Sequence, residues 1–267
     1  WLKFWGLSIE PFVGIQGTYV PLPQHEEAIA RLSHVIESAQ RVAILSGDSG
    51  LGKSSVLGEL GRRLRAPGRR FVKVDHPSNA DELRDSLVRC LGDRGRQFEH
   101  PDRPSWRSLE DALRLQGWQR AHLIILLDEA REVLDSKGLA ELSRLTQLGG
   151  ADQPRITLVI ATVEGLETQA LPEFRDALPA RLKRLTRKET EDYLQHRLRV
   201  AGRSEETFSP NALTRLHTIS EGNPRTVNRI ASLCLLVGAV RHLEVIPPDL
   251  VDGLGQELWP LKVRMPC

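Results

Sequence analysis

An eight-residue stretch, Gly47 to Ser54, has the residue types and the spacing of a loop that binds phosphate. It follows an apolar run at residues 41–46 that is typical of a buried strand, and it precedes a stretch that is typical of a helix. In that context the backbone N–H groups of the loop and the positive end of the helix dipole converge on one anion site. The alternative is a glycine-rich turn with an exposed lysine, and the surrounding strand and helix favour phosphate binding over it.

Every residue of this loop is a predicted contact to the nucleotide. The set is Gly47, Asp48, Ser49, Gly50, Leu51, Gly52, Lys53 and Ser54. The glycines allow backbone angles that a side chain would block. Lys53 would reach the β- and γ-phosphates, and the Ser54 hydroxyl would ligate Mg²⁺. The expected ligands are therefore ATP and a magnesium ion.

Two carboxylates, Asp128 and Glu129, follow five consecutive apolar residues at 123–127. Such a run predicts a strand that is buried on both faces, as in a parallel sheet. Ligands bind at the carboxyl ends of these strands. Asp128 can hold Mg²⁺ through its water shell, and Glu129 can act as the general base on the attacking water. Two acids that merely end a strand are the alternative, but the phosphate loop earlier in the chain favours an ATPase site.

Further candidates for the site come from later in the chain. Thr162 follows the apolar run 156–160 and can hydrogen-bond the attacking water or the γ-phosphate, although local backbone groups are equally suitable partners. Arg181, and after it Arg175, can stabilise a γ-phosphate across a subunit interface, or each can be a plain surface charge. Arg225 opens a helix, where it opposes the helix dipole, so it would be better placed against an anion such as a nucleotide phosphate.

The order of the predicted elements divides the chain into two domains. Strands and helices alternate up to about residue 187, and only helices are predicted beyond it. We expect residues 1–187 to form an N-terminal arm and a nucleotide-binding α/β domain, and residues 188–267 to form a helical domain. The arm is rich in aromatic residues and proline, and it either anchors itself in the core or lies beside the nucleotide base.

Composition excludes several classes of protein. The net charge of +2 is too small to predict nucleic-acid binding, although residues 62–70 and 181–188 form basic clusters that are either solvated or in contact with phosphates or a neighbouring subunit. The three cysteines lack metal-ligand spacing, no signal peptide is evident, and the apolar runs are too short to span a bilayer. We expect a cytoplasmic protein that reaches any membrane through its partners. The first residue is Trp1 rather than Met, which is compatible with a fragment of a longer protein.

Together these motifs resemble those of AAA+ ATPases, and more narrowly those of the ExeA/GspA-type ATPases of the bacterial general secretion pathway. The resemblance covers nearly the whole chain. It begins at residues 4–7 and 11–12, continues through 189–194 and ends with the specific motif Gly222-Asn223-Pro224-Arg225-Thr226-Val227-Asn228-Arg229. By this resemblance residues 47–54 are the Walker A loop and residues 123–129 the Walker B strand. Thr162 is at the position of sensor 1, and Arg225 is at that of sensor 2.

The resemblance implies a P-loop NTPase fold with a five-stranded parallel sheet of order 5-1-4-3-2, followed by a helical lid. It also implies Mg²⁺-dependent ATP hydrolysis and nucleotide-driven assembly of a homo-oligomer. The usual Gly-Gln-Pro-Glu after the fourth strand is here Ala161-Thr162-Val163-Glu164.

Three functions are compatible with these residues. The first is an ATPase that couples hydrolysis to the assembly of a secretion or envelope complex. The second follows from a similarity to TnsC/TniB-type transposition ATPases, in which the basic clusters would line a DNA-binding filament that works with a transposase. The third is a nucleotide-regulated scaffold with slow turnover. The ATPase core alone does not separate them.

Overall fold

This computed structural model describes most of the chain: residues 1–12, 19–91, 106–107, 109–110, 121–130, 136–148, 155–163 and 177–258. The chain divides into two compact units. One comprises Trp1–Leu22, Gly50–Gly52 and Lys183–Cys267, and the other comprises Pro23–Ser49 and Lys53–Leu182. We refer to the first as the helical unit and to the second as the sheet unit.

The sheet unit contains five parallel strands. They are β1 (Val42–Ser46), β2 (Arg69–Asp75), β3 (His122–Asp128), β4 (Arg155–Thr162) and β5 (Leu178–Arg181). Their order across the sheet is β2-β3-β4-β1-β5. Counted from the other side this is 5-1-4-3-2, so the predicted fold class and strand order are confirmed.

Four helices flank these strands in the described part of the sheet unit. They are α1 (Pro23–Glu37), α2 (Lys53–Arg63), α3 (Ala80–Leu91) and α4 (Ser136–Gln147). The central strands β3 and β4 are buried along almost their whole length, because helices cover both faces of a parallel sheet. Each fully buried leucine or isoleucine there contributes about 1.5–3 kcal/mol, which fixes the strand ends that carry polar side chains.

The strand β5 was not predicted from its local sequence pattern. It has only four residues, and one of them is Pro179. Proline cannot donate a ladder hydrogen bond, so a proline-containing run does not have the pattern of a central strand, but an edge strand tolerates it. Among the described strands β5 is at the edge of the sheet and pairs with β1, with Arg181 opposite Ser46.

The helical unit contains four helices from the C-terminal part of the chain: α5 (Arg187–Val200), α6 (Pro210–Ser220), α7 (Pro224–Val240) and α8 (Pro248–Leu258). Their starts follow from the sequence. Thr186 caps α5 in a capping box with Glu189. Ser209 caps α6 and Asn223 caps α7, and each is followed by a proline at the first helical position.

The N-terminal arm is part of the core of the helical unit. Trp5 is only 1% exposed, and its indole Nε1 donates a hydrogen bond of 2.7 Å to the carbonyl of Leu235 on α7. The Arg203 guanidinium donates to the Trp5 carbonyl at 3.0 Å and lies over the indole ring. Trp5 therefore acts as an anchor of the arm. The division into a nucleotide-binding domain up to residue 187 and a lid beyond it stays a prediction.

Among the described helices, none has both the length and the apolar composition needed to cross a bilayer.

Candidate nucleotide-binding site

The carboxyl edge of the sheet brings the ends of all five strands together. Register alignment places Ser46 at the end of β1 opposite both Thr162 of β4 and Arg181 of β5. On the other side of β4, Asp128 ends β3 and is the partner of Asp75 at the end of β2. Parallel strands all end at one edge, so a row of polar residues forms there without any of them being close in sequence.

The phosphate loop leaves this edge directly after β1. Gly47 continues the pairing with β4, because its N–H donates to the Thr162 carbonyl at 3.3 Å. Lys53 is the first residue of α2 and is 6% exposed. Its ammonium donates to the carbonyls of Gly47 and Asp48 at 2.7 and 3.0 Å. The lysine charge is thus held against its own loop, at the start of a helix whose dipole also attracts anions.

In the middle of this loop a glycine is required at position 50. Gly50 has a φ of 86°, and a Cβ there would stand 2.6 Å from the side-chain oxygen of Asn223. The N–H of Arg225 donates to the Gly50 carbonyl at 3.3 Å. Residues 50–52 belong to the helical unit. The start of α7, where Arg225 lies, therefore contacts Gly50 within the helical unit.

Asp128 is held by a lysine that the sequence analysis did not single out. Lys73 of β2 lies with its ammonium 3.1 Å from Oδ2 of Asp128 and 2.5 Å from Oδ1 of Asp75. Burial by itself lowers the pKa of Lys73, but the hydrogen bonds and charges of the two aspartates outweigh burial and raise it, so Lys73 is a cation at neutral pH. The other oxygen of Asp128, Oδ1, is buried and has no hydrogen-bond partner among the described residues.

Glu129 has an unusual backbone and a partner of its own. Its φ is 51°, in the left-handed region that costs a residue with a side chain on the order of 1–2 kcal/mol. His76, directly after β2, has a φ of 48°. Its Nδ1 lies 3.0 Å from Oε2 of Glu129, and its N–H donates to the Asp128 carbonyl at 3.0 Å. Two strained turns thus bring His76 against the proposed general base.

Thr162 is buried at 3% exposure, and its hydroxyl has no hydrogen-bond partner among the described residues. A buried hydroxyl without a partner costs on the order of 1–3 kcal/mol. Arg181 and Ser54 are exposed at the same edge of the sheet unit.

The predicted residues fall into three groups. Those at the carboxyl edge of the sheet unit are Lys53, Ser54, Asp128, Glu129, Thr162 and Arg181. Arg225 belongs to the helical unit, where it contacts Gly50. Arg175 lies outside the described residues.

Three residues at this edge were not predicted from the sequence to belong to the site: Lys73, Asp75 and His76. A weak signal was present, because Lys73 and Asp75 alternate along β2 and so share a face, next to the strand that ends in two acids.

Comparisons with known proteins identify the family of the chain. The family model described as AAA domain matches residues 36–170, which is about half of the chain. The chain belongs to the AAA domain family. The matched span includes the phosphate loop, Asp128, Glu129 and Thr162.

One curated relative is General secretion pathway protein A of Aeromonas hydrophila. It is 26% identical over 253 residues, which cover 90% of this chain and 45% of that protein. The chain thus spans about half the length of this relative. The similarity extends beyond the family match into the helical unit.

Solved structures share the fold. Cdc6p of Pyrobaculum aerophilum has a TM-score of 0.74 and 22% identity over 94% of this chain and 73% of its own. The Aeropyrum pernix ORC1 protein, solved in complex with DNA, has a TM-score of 0.72 and 20% identity over 93% of this chain and 68% of its own. The Thermotoga maritima RuvB motor has a TM-score of 0.58 and 18% identity over 87% of this chain and 68% of its own. At these identities the likeness shows the fold alone.

The donor set fits a magnesium-bound nucleotide. The Lys53 ammonium and the start of α2 attract phosphate, and the Ser54 hydroxyl and the Asp128 carboxylate are hard oxygen ligands. The buried oxygens Asp128 Oδ1 and Thr162 Oγ1 have no partner among the described residues, and a magnesium-bound nucleotide could supply one. Within the described part of the chain, no cluster of His, Cys, Asp and Glu forms a separate metal site.

Proposed function

We propose that this chain is an Mg²⁺-dependent ATPase. The observation that carries this proposal is that two buried oxygens on the same sheet edge as the phosphate loop, Asp128 Oδ1 and Thr162 Oγ1, have no hydrogen-bond partner within the described part of the chain. A fold seldom leaves buried polar atoms unsatisfied unless a ligand or a solvent molecule completes them. Membership of the AAA domain family supports a nucleotide as that ligand.

Each residue then has a role in binding or in the reaction. The amides of residues 47–52 and the Lys53 ammonium bind the phosphates, and Ser54 and Asp128 hold Mg²⁺. The metal, when bound, neutralises charge on the phosphates. Glu129 takes the proton of the attacking water, and Thr162 orients that water or the γ-phosphate. Arg181 acts on the γ-phosphate of a neighbouring subunit in a homo-oligomer. Arg225, at the start of α7, pairs with a nucleotide phosphate.

Lys53→Ala tests the phosphate site. We expect nucleotide affinity to fall at least about tenfold, because a charge-assisted contact to phosphate is lost from a buried position. Binding of a fluorescent ATP analogue measures the change. Lys3→Ala is the matched control, since Lys3 is an exposed lysine of the arm and should bind as the parent does. Equal affinity of Lys53→Ala and Lys3→Ala would remove the loop from the proposed site.

The biological role that we propose is assembly of a secretion or envelope complex, by analogy with General secretion pathway protein A. This is the analogy with the widest support in sequence, because the similarity covers both units of the chain. We place the protein in the cytoplasm, in contact with a membrane only through partners.

DNA binding is the competing role, and charge pairing in the basic clusters weighs against it. Glu59 receives hydrogen bonds from Arg62 and Arg63, and the hydrogen bond from Arg62 is the main reason why its pKa falls to about 2, with Arg63 adding to this against the opposing effect of burial. In the second cluster Arg184 pairs with Glu221, and Lys188 pairs with Asp192. These cations already have carboxylate partners, so fewer charges remain for phosphates.

ATPase activity and particle size, measured with and without DNA, separate the two roles. A secretion-type ATPase should assemble with ATP alone, and its turnover should not respond to DNA. Salt-dependent DNA binding that appears only with ATP would instead support the transposition-type role.

A further inference from the structure

We propose that Lys73 is an internal counter-cation of Asp128, which holds this carboxylate in the metal-free protein and thereby lowers the affinity of the nucleotide site for Mg²⁺. The inference rests on the proposed function, because Asp128 matters to a metal only if the site binds one.

The geometry that leads to this proposal involves two neighbouring strands. Asp75 and Asp128 are register partners at the ends of β2 and β3, and Lys73 is two residues before Asp75 on the same face of β2. The Lys73 ammonium is shared between the two carboxylates, at 2.5 Å from Asp75 and 3.1 Å from Asp128. Two carboxylates and the partly exposed Lys73 ammonium therefore form a single charged group at the sheet edge that carries the phosphate loop.

The two carboxylates differ in how much they need the cation. The Asp128 side chain is 3% exposed, whereas Asp75 is 57% exposed. A buried carboxylate without a counter-charge is costly, while an exposed one is solvated by water. Lys73 therefore stabilises mainly the Asp128 carboxylate. The solvated Asp75 carboxylate is a second partner for the Lys73 ammonium.

A metal ion changes this balance. When Asp128 orders the water shell of Mg²⁺, the divalent ion supplies the counter-charge, and the Lys73 ammonium becomes a like charge close by. Repulsion between a single and a double positive charge at roughly 6 Å in a water-like medium corresponds to a factor of about ten in affinity. By linkage, a cation that favours the metal-free form must weaken metal binding by the same factor.

A supporting role for Lys73 predicts the opposite change in metal affinity when Lys73 is removed. If Lys73 serves mainly to orient Asp128 so that Oδ1 faces the metal, its removal leaves the acid mispositioned and weakens metal binding. Metal affinity therefore decides between a counter-cation and a support.

The test is Lys73→Met in the full chain. We measure Mn²⁺ binding by electron paramagnetic resonance in the presence of a non-hydrolysable ATP analogue, so that turnover does not enter. We expect Mn²⁺ to bind roughly three- to tenfold more tightly than in the parent. Unchanged or weaker Mn²⁺ binding overturns the proposal. Lys73→Gln, which keeps a polar head without the charge, is expected to give the same result and serves if the methionine variant does not fold.

Arg41→Met is the matched control. Arg41 is an exposed cation in the sheet unit, directly before β1 and so at the opposite edge of the sheet. It removes the same charge, and Mn²⁺ affinity should stay within about twofold of the parent, because solvent screens a charge at that distance. An equal gain in Arg41→Met and Lys73→Met would mean that net charge alone acts, and it would overturn the proposal.

A double-mutant cycle tests the link to Asp75. Asp75→Asn leaves Lys73 with Asp128 alone, so Mn²⁺ binding should weaken several-fold. In the Lys73→Met background most of that loss should disappear, because the cation that transmits it is absent. An equal loss in both backgrounds would mean that Asp75 acts on the metal directly, against the proposed link.

Failure of this inference can be told apart from failure of the proposed function. If the parent binds no Mn²⁺ with the ATP analogue, or if Asp128→Asn binds it equally tightly, the metal site itself is wrong. If the parent and Asp128→Asn differ as proposed and Lys73→Met matches the parent, only the role of Lys73 is wrong.

Discussion

The strand β4 carries a buried threonine near each end, and the two differ in their hydrogen bonds. At the amino end, the Thr157 hydroxyl donates to the Gln40 carbonyl at 2.6 Å and lies 2.8 Å from Nε2 of His122. At the carboxyl end, the Thr162 hydroxyl is almost as deeply buried and has no hydrogen-bond partner among the described residues. The same residue type in the same strand is thus satisfied at one edge of the sheet and unsatisfied at the other.

This difference distinguishes the amino edge of the sheet from the edge at which we propose the nucleotide site. A hydroxyl that only stabilises the fold should have its partners within the fold, as Thr157 does. Thr162 shares its edge with Asp128 Oδ1, another buried oxygen without a partner, and with Glu129 in a strained turn. Two buried oxygens with no partner among the described residues thus share the edge at which we propose that the nucleotide binds.

The largest effect is expected at the carboxyl edge. Glu129→Gln should lower ATP turnover by roughly two to four orders of magnitude, the usual contribution of a general base. Nucleotide binding should be retained, because the amide keeps the shape of the side chain and the phosphate loop is untouched. Steady-state phosphate release and fluorescent nucleotide binding measure the two quantities. Turnover equal to that of the parent would remove Glu129 from the role of base.

The two threonines offer a paired test of the comparison. Thr162→Val should lower turnover by roughly one to two orders of magnitude, since it removes a polar contact to the reacting groups. Its free energy of unfolding should not fall, because an unpartnered hydroxyl is replaced by a methyl group. Thr157→Val should leave turnover unchanged and lower the free energy of unfolding by about 0.5–1.5 kcal/mol, because the hydrogen bond to the Gln40 carbonyl is lost.

Urea unfolding and phosphate release, measured on both variants, provide the comparison. Equal destabilisation by the two substitutions would show that Thr162 has structural partners after all. A loss of turnover in Thr157→Val, per folded molecule, would show that the amino edge is not purely structural.

The sequence was sufficient to predict most of the polar residues at the carboxyl edge of the sheet, but not which of their side chains contact each other. The apolar runs before Ser46, Asp128 and Thr162 predicted β1, β3 and β4, because a strand buried on both faces has few alternatives in composition. The pairing of Lys73 with Asp128 depends on the register of β2 against β3. Register is a long-range property, and no local pattern contains it.

His76 shows the same limit. In the sequence it is a lone histidine after a strand, and only the fold brings its ring to Glu129. We expect His76→Ala to raise basal turnover about two- to fivefold, because a polar contact between two exposed side chains, worth about 0.2–1 kcal/mol, no longer holds Glu129 away from the attacking water. His76→Asn can still donate a hydrogen bond and should lie between the alanine variant and the parent. A lower turnover in His76→Ala would mean that His76 helps to place the base.

The smallest expected effect lies at the amino edge and depends on pH. The Thr157 hydroxyl uses its one proton on the Gln40 carbonyl, so Nε2 of His122 must be the donor in the 2.8 Å contact. Burial, and then the charges of Arg69 and Arg155, lower the pKa of His122 below its ordinary value. The unfolded chain therefore takes up this proton at a higher pH than the folded chain. Stability should be constant above about pH 6.5 and should fall below it.

The size of this fall is limited by the hydrogen bond itself. Nε2 of His122 carries a proton in both the neutral and the charged ring, so the hydrogen bond to Thr157 survives protonation. Only burial and the nearby positive charges oppose protonation of the ring. We expect a loss of less than about 1 kcal/mol between pH 7.5 and 5.5 in urea unfolding. His122→Gln, which keeps a donor and does not titrate, should lose this pH dependence, whereas Thr162→Val should keep it. A pH dependence that persists in His122→Gln would assign the effect to other groups and weaken the contrast between the two edges.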